Sequence, residues 1–233
     1  MNLKEFEVEL KKIGINVDND KISKLEKYYD LLIEYNKVMN LTGITNHDEV
    51  YLKHFYDSLT IIKVIDLNKV ENLCDLGSGA GFPGIVLKIF FPNLRITLID
   101  SQNKRIKFLN VVIEELKLKN IEAIHSRIED YAKTNQEKYD VVTARAVAPL
   151  NILLELGINL VKINKYFIAM KGNIKNEPSF NNAINILKCK IERIVSFKLP
   201  IEESDRSLIC IKKNSATPKK YPRKYCDVRK KTL

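Results

Sequence analysis

The chain has 233 residues, of which 45% are hydrophobic and 29% are charged, and its formal net charge is +10. These proportions are ordinary for a globular protein, and the length allows one sizeable core. No stretch approaches the roughly 18 apolar residues that a membrane span needs, and the first residues include acids where a signal peptide would be apolar. The sequence therefore predicts a cytoplasmic protein that does not associate with membranes.

Four cysteines are scattered along the chain, none of them in a Cys-x-x-Cys pair or at a ligand spacing from a histidine. Zinc sites need such clusters of Cys and His. Cys74 and Cys210 lie in apolar runs, which favours burial in the core. Neither a disulfide framework nor a metal site is expected.

Residues 1–66 have the hydrophobic periodicity of helices. Apolar residues recur at helical spacing in two segments, at Leu3, Phe6, Leu10 and Ile13 and at Leu25, Tyr28, Tyr29, Leu32 and Ile33. Gly14 and Gly43 mark breaks, and a third helix is predicted from Asp48 to Ile65. We expect residues 1–66 to form a helical extension packed on the core.

After residue 66, short apolar runs alternate with amphipathic segments. The predicted strands are Val70–Leu76, Arg95–Asp100, Ile121–His125, Tyr139–Thr143, Tyr166–Met170, Ile191–Lys198 and Ser207–Ile211. The predicted helices are Pro83–Phe90, Asn103–Leu118, Leu150–Val161 and Asn176–Leu187. Strand–helix alternation implies a mostly parallel sheet, and the last two strands, with no helix between them, should form an antiparallel hairpin. Such a seven-stranded α/β sheet is typical of Rossmann-like class I methyltransferases, and we expect it to occupy residues 67–213.

A glycine-rich loop follows the first predicted strand directly. Four of the eight glycines fall there, at Gly77, Gly79, Gly81 and Gly84. Glycine lets a ligand approach the main chain closely. Residues 79–84 match the G-x-G-x-x-G pattern of dinucleotide-binding proteins, but Pro83 has no N–H to offer a pyrophosphate. The acid Asp75 suits a cationic ligand better, so the loop favours S-adenosylmethionine, with its ammonium and sulfonium, over NAD.

Further candidate residues lie where later strands end, beside this loop. Asp100 ends the second strand, where an acid can accept hydrogen bonds from ribose hydroxyls or cap the helix that follows. Ile128 and Glu129 follow the third strand, where they can contact an adenine or simply begin a helix. Arg145 follows the fourth strand, where many N-methyltransferases have an acid-Pro-Pro-aromatic motif instead.

The positive charge is concentrated near the C-terminus. Residues 212–233 hold nine Lys or Arg and one acid, Asp227, so +8 of the net charge of +10 lies there. Such a run can follow a phosphate backbone and release its counterions, or it can be a solvated, disordered terminus. Residues 214–233 are therefore described as a basic tail, and charge alone leaves both interpretations open.

Several motifs occur together in this chain. They are Asn40–Thr42, Lys53–Ser58, Asp75–Gly84, Leu98–Ser101 with Lys104 and Arg105, Ala144–Ala148, Ala169–Gly172 and Thr217–Lys224. In combination they resemble the bacterial ribosomal RNA small subunit methyltransferase G family, also called glucose-inhibited division protein B, over nearly the whole chain. Where the tail motif of that family is usually followed by a glycine, this chain has Tyr225.

The resemblance implies S-adenosylmethionine-dependent methylation of guanine N7 in the decoding-region loop of 16S rRNA. Its cofactor contacts would be made by Gly77, Phe82, Ile128, Glu129 and Arg145, to which the loop analysis adds Asp75, Gly79 and Asp100. N7 carries no hydrogen, so no general base is expected and the three histidines are assigned no catalytic role. We expect Arg145 to hold a phosphate, the cofactor carboxylate or neighbouring backbone, because a cation beside N7 would oppose the developing positive charge.

N7 lies on the major-groove edge, which is inaccessible in A-form RNA, so the target guanine must be unpaired or flipped out. The bases expected to grip phosphates of 16S rRNA or the small subunit are Lys104, Arg105, Lys171, Arg206, Lys219, Lys220, Arg223 and Lys224. Lys171 is favoured, since it ends the predicted fifth strand beside the cofactor cleft. A monomer is expected. An NAD-dependent dehydrogenase and a non-catalytic, ribosome-associated RNA-binding protein are the alternatives.

Overall fold

The computed structural model describes residues 1–175 and 177–233, and in these ranges seven strands form one sheet in the order β3-β2-β1-β4-β5-β7-β6. The strands are β1 Asn72–Leu76, β2 Arg95–Asp100, β3 Ile121–His125, β4 Tyr139–Arg145, β5 Val161–Lys171, β6 Cys189–Lys198 and β7 Asp205–Lys213. Pairing is parallel from β1 to β5, and β7 runs antiparallel to both β5 and β6. The predicted mostly parallel sheet with a C-terminal antiparallel hairpin is confirmed.

Helices cover both faces of this sheet, as a parallel sheet requires. The α-helices are α1 Leu3–Lys12, α2 Asn19–Met39, α3 His47–Val50, α4 Asp57–Leu59, α5 Gly84–Phe90, α6 Asn103–Glu115, α7 Ile128–Thr134, α8 Leu150–Gly157, α9 Asn181–Ile186 and α10 Tyr225–Lys230. None of the helices in the two described ranges is both long and apolar enough to cross a membrane.

Alternate strand residues enter two separate cores, because successive side chains of a strand point to opposite faces. Leu73 and Val141 pack with the N-terminal helices, α5 and α6 on one face. Cys74 and Val142 pack with α7, α8 and α9 on the other. Cys74 and Cys210 are both buried, as predicted.

Two helices of the sheet region end earlier than predicted. The helix α6 ends at Glu115, because Lys117 adopts a left-handed conformation with a φ of 51°. The helix α8 ends at Gly157 and continues as a 3-10 turn, Ile158–Leu160, after which Val161 pairs with Tyr139 and begins β5.

The helix predicted from Asp48 to Ile65 is a series of short helical segments. Between α3 and α4 the segment Tyr51–Tyr56 is a π-helix, a form that is frequent at functional sites. A 3-10 turn, Thr60–Lys63, follows α4. The helix predicted from Asn176 corresponds to α9, and Asn176 itself lies outside the described residues.

Candidate active site

The glycine-rich loop joins β1 to α5 at the carboxyl edge of the sheet. Gly77 has a φ of 64°, and a Cβ there would lie 2.7 Å from Val147 Cγ2, so the position requires glycine. Gly79 also has a positive φ, of 59°, and its N–H donates to the Asp100 carboxylate at 2.9 Å. The acid that ends β2 therefore holds the loop that follows β1.

Asp100 collects three hydrogen bonds while only 2% exposed. Besides the Gly79 N–H, it accepts from the Gln102 N–H at 2.8 Å and from Arg105 Nη1 at 3.2 Å. A carboxylate has about four acceptor positions, so one is left for a ligand hydroxyl. The Nε of Arg105 is buried and meets no hydrogen-bond partner in the described part of the chain, an arrangement that is costly unless a ligand completes it.

A cavity of about 270 Å³, termed the first cavity, opens between this loop and the carboxyl ends of β2, β3 and β4. Its walls include Gly77, Asp100, Ser101, Arg105, Ile128, Glu129, Ala146, Val147, Leu156 and Tyr225. Charged and hydroxyl-bearing side chains share these walls with apolar ones, and polar groups that converge on a cavity can fix the orientation of a small molecule. A carboxylate with a vacant acceptor position and apolar side chains around it suits a nucleoside.

A second cavity, of about 390 Å³, lies on the other side of Ala146. Its walls include Lys53, His54, Asp57, Arg145, Met170, Lys171, Gly172 and Arg206. Ala146 lines both cavities and has a φ of 56°. A left-handed conformation costs a non-glycine residue about 1–3 kcal/mol and is concentrated at ligand sites. The two cavities therefore meet at a strained residue that follows β4.

Two arginines share one buried carboxylate in the second cavity. Asp57, 4% exposed, accepts from Arg145 Nη1 at 3.0 Å and from Arg206 Nε at 3.1 Å. Arg145 also donates to the Lys53 carbonyl oxygen at 3.0 Å. The sequence analysis expected Arg145 to hold a phosphate, the cofactor carboxylate or neighbouring backbone, and this contact is to backbone. The cluster carries one positive charge more than it neutralises, so it favours an anionic or electron-rich ligand.

His54 stands between Arg145 and the helical region. Its ring stacks on Phe82 at 4.4 Å between centroids, and its Nδ1 is 3.3 Å from Arg145 Nη2. The same Nδ1 lies 3.2 Å from the Lys53 carbonyl oxygen; a guanidinium can only donate and a carbonyl can only accept, so these two contacts favour opposite tautomers of the ring. The other nitrogen, Nε2, lies 2.9 Å from Thr42 Oγ1. Burial and the Arg145 charge lower the pKa of His54 to about 3, so the ring is neutral at pH 7.

Asp75 lies below the loop and is fully buried. Its Oδ2 accepts from the Gly84 N–H at 2.9 Å, while Oδ1 meets no hydrogen-bond partner in the described residues. Burial raises the pKa of Asp75 to about 7, although the Gly84 hydrogen bond and Arg145 oppose the shift. Asp75 therefore binds the first N–H of α5 inside the protein and does not line the first cavity.

Replacing Asp75 with asparagine is expected to remove a pH-dependent cost to stability. The folded-state pKa of about 7 exceeds the ordinary 3.8, so the native state binds more protons between these values. Native stability therefore falls as pH rises through this window, by at most about 1.4 kcal/mol per pH unit. The introduced amide can still accept from the Gly84 N–H, so the free energy of unfolding should depend less on pH in Asp75→Asn than in the wild type. Urea unfolding at pH 5 and pH 8 measures this, and an identical pH dependence would contradict it.

The family model that describes rRNA small subunit methyltransferase G matches residues 21–208 of this chain. The chain belongs to this family. It is 49% identical over 228 residues to the ribosomal RNA small subunit methyltransferase G of Bacillus licheniformis, covering 96% of this chain and 95% of the relative. The protein of the same name from Bacillus subtilis strain 168 is also 49% identical, with the same coverage. The family resemblance found in the sequence is confirmed.

Solved structures agree on the fold. A SAM-dependent methyltransferase from Aquifex aeolicus superimposes with a TM-score of 0.52 and 16% identity, covering 71% of this chain and 93% of that protein. TYW2 of P. horikoshii, solved in complex with MeSAdo, gives a TM-score of 0.52 at 13% identity, covering 66% and 60% of the two chains. At these identities the likeness concerns the fold alone, and it confirms the predicted methyltransferase architecture.

The predicted cofactor residues of this family member divide by position. Four of them, Gly77, Asp100, Ile128 and Glu129, line the first cavity. Gly79 does not line this cavity itself, but its N–H donates to Asp100, which does. The other three lie outside its walls, since Asp75 is buried under α5, Phe82 supports His54, and Arg145 lines the second cavity.

The predicted RNA-binding bases fall into three groups. Lys104, Lys219, Lys220 and Lys224 are exposed. Lys171 and Arg206 line the second cavity, where Lys171 Nζ is 2.8 Å from Glu177 Oε1. Arg105 and Arg223 are bound to buried acids, Asp100 and Glu155. Within the first group, Lys104 Nζ donates to the Met39 carbonyl oxygen at 2.8 Å, so Lys219, Lys220 and Lys224 are best placed to offer an ammonium group to a phosphate backbone.

Among the wall residues that were not predicted as site residues from the sequence, three have the largest part in the geometry described above. Asp57 lies in the Lys53–Ser58 motif, which carried part of the family resemblance. Ala146 lies in another such motif, Ala144–Ala148. Tyr225 stands where the family usually has a glycine, and that departure was the signal.

Proposed function

We propose that this protein uses S-adenosylmethionine to methylate N7 of a guanine in 16S rRNA, as a monomer in the cytoplasm. The family assignment supports the reaction class and the substrate. The observation that carries the proposal is the junction of the two cavities at Ala146. A cofactor in the first cavity and a base in the second would meet there.

The first cavity fits the cofactor by its own chemistry. Asp100, with a vacant acceptor position, would hold the ribose, and Ile128 with Glu129 would flank the adenine. When bound, S-adenosylmethionine supplies an electrophilic methyl group. The protein contributes positioning, and fixing two reactants in a near-attack arrangement can supply roughly 7–11 kcal/mol.

The second cavity fits a base that gives up no proton. Guanine N7 reacts through a lone pair, so the site needs no general base. His54, neutral because of its lowered pKa of about 3, therefore serves as a hydrogen-bonding wall. Arg145 donates to Asp57 and to the Lys53 carbonyl oxygen, so these hydrogen bonds direct its guanidinium to acceptors of the protein instead of to the base.

The test is mass mapping of 16S rRNA methylation in cells with and without the gene. A guanine N7 methyl group that disappears with the gene and returns with the wild-type copy supports the proposal. Thermal stabilisation by NADH but not by S-adenosylmethionine would favour the dehydrogenase. Binding of 16S rRNA without transfer of a labelled methyl group would favour the non-catalytic RNA-binding protein.

The exposed tail lysines are expected to account for part of the salt dependence of RNA binding. Replacing Lys219, Lys220 and Lys224 together with alanine should reduce the slope of log K against log salt by about 2, since each phosphate contact on single-stranded RNA contributes roughly 0.7. Filter binding of a 16S rRNA fragment over roughly 50–200 mM salt measures the slope. The matched control removes three exposed lysines of α1, namely Lys4, Lys11 and Lys12. Equal slopes for both triple variants would contradict the phosphate-grip model.

A further inference from the structure

The C-terminal segment folds back onto the methyltransferase domain. After β7 the chain buries Tyr221, with 7% exposure, and Val228 in α10, with none. Tyr221 belongs to the same apolar core as α8. A solvated, disordered terminus would bury neither side chain, so this segment is part of the folded structure.

A buried ion pair fixes the segment in place. Glu155 of α8 is fully buried and receives Arg223 Nε and Nη2 at 2.6 Å each, with the Arg223 N–H at 3.3 Å. Arg223 Nη2 also donates to the Lys231 carbonyl oxygen at 2.9 Å, beyond the end of α10. Bidentate guanidinium–carboxylate pairs are strong and geometrically specific. Arg223 is therefore occupied inside the protein and unavailable as a phosphate ligand.

The ion pair between Arg223 and Glu155 holds Tyr225 at the wall of the first cavity. Leu156, the neighbour of Glu155 in α8, lines that cavity, and so do Glu129 and Tyr225. The Tyr225 N–H lies 3.3 Å from Glu129 Oε1. Glu129 is 6% exposed, so the tail supplies a hydrogen bond to a buried wall carboxylate.

We propose that the folded-back segment, residues 221–230, contributes Tyr225 to the wall of the cofactor site, where Tyr225 is a positioning residue for the nucleoside and the Arg223–Glu155 ion pair holds the segment in place. This inference rests on the proposed cofactor site. The segment has two sides: one completes the cavity through Tyr225 and Glu129, and the other exposes Lys224 and Arg229 to solvent. Cofactor binding and tail order are then linked, and by reciprocity each strengthens the other.

The binding test compares Tyr225 variants by calorimetric titration with S-adenosylhomocysteine. Tyr225→Ala, which removes the side chain, should weaken binding about tenfold. Tyr225→Pro, which also removes the N–H, should weaken it further. Proline is compatible with the first position of α10, and Lys224 before it has φ −63° and ψ 143°, which suits a residue preceding proline. Arg229→Ala in the same helix is the control and should bind as the wild type does.

The second readout is the rate at which trypsin cleaves the tail. Saturating S-adenosylhomocysteine should slow cleavage after Lys224 several-fold in the wild type, and this protection should be lost in Arg223→Lys, which keeps the charge but not the bidentate geometry. Cofactor-independent cleavage, or unchanged affinity in both Tyr225 variants, would overturn the inference. A wild type that does not bind S-adenosylhomocysteine would overturn the proposed cofactor site as well.

Discussion

Replacing Asp57 with alanine is expected to lower the free energy of unfolding by about 3–5 kcal/mol, since it strands two partly buried arginines that now share one carboxylate. Arg145 and Arg206 would repel each other, and Arg145 would lose one of the contacts that hold it beside Ala146. A shift of about 1 Å in reacting groups can cost about 100-fold in rate. Methyl transfer to 16S rRNA should therefore fall at least that far at a temperature where the variant is folded.

Glu49→Ala provides the matched control for this change. Glu49 belongs to the same helical region and pairs with Lys53, but its side chain is 49% exposed. Exposed pairs contribute about 0–1 kcal/mol, so stability and turnover should stay close to wild type. Urea unfolding and single-turnover methylation separate the two effects. If Asp57→Ala matches Glu49→Ala in both measurements, the arginine cluster does not shape the second cavity.

The sequence predicted what local patterns determine. Strand and helix periods located the sheet, and glycines after β1 with an acid ending β2 located the first cavity. The contact between Gly79 and Asp100 follows from that arrangement, because parallel strands end at the same edge of the sheet. The role of Asp75 was harder to see, since only the structure shows that Gly84 leaves room for its carboxylate, 2.8 Å from where a Cβ would lie.

The second cavity could not be predicted in this way. Its central pair, Asp57 and Arg206, is separated by 149 positions and depends on how the helical region packs on the β5–β7 edge. No local period encodes such a pairing. The same holds for Arg223, whose acid partner Glu155 lies inside an apolar helix where sequence alone shows an isolated charge. For this reason the sequence predicts RNA binding by all of these bases, although Arg105, Arg206 and Arg223 pair with acids of the folded protein.

The other large effect is expected at Asp100. Asp100→Ala should weaken binding of S-adenosylhomocysteine by at least about 100-fold, equivalent to about 3 kcal/mol. Hydrogen bonds to a charged group contribute about 1.5–3 kcal/mol each, and this carboxylate holds the Gly79 N–H, the Gln102 N–H and Arg105 before any ligand arrives. Its loss removes both the proposed ribose acceptor and the restraint on the loop.

Asp100→Asn separates these two roles, because the amide keeps the size of the side chain but replaces one acceptor with a donor. An NH₂ group in place of Oδ2 would face both the Gly79 N–H and Arg105, and an NH₂ group in place of Oδ1 would face the Gln102 N–H. Affinity should therefore fall in either orientation even though the fold is retained. Asp130→Ala, an acid with a 61% exposed side chain in the first turn of α7, is the control. Calorimetry gives the affinities, and thermal unfolding without ligand gives the stabilities. Wild-type affinity in Asp100→Asn would mean that the loop binds its ligand through backbone groups alone, and that the side chain of Asp100 has no part in binding.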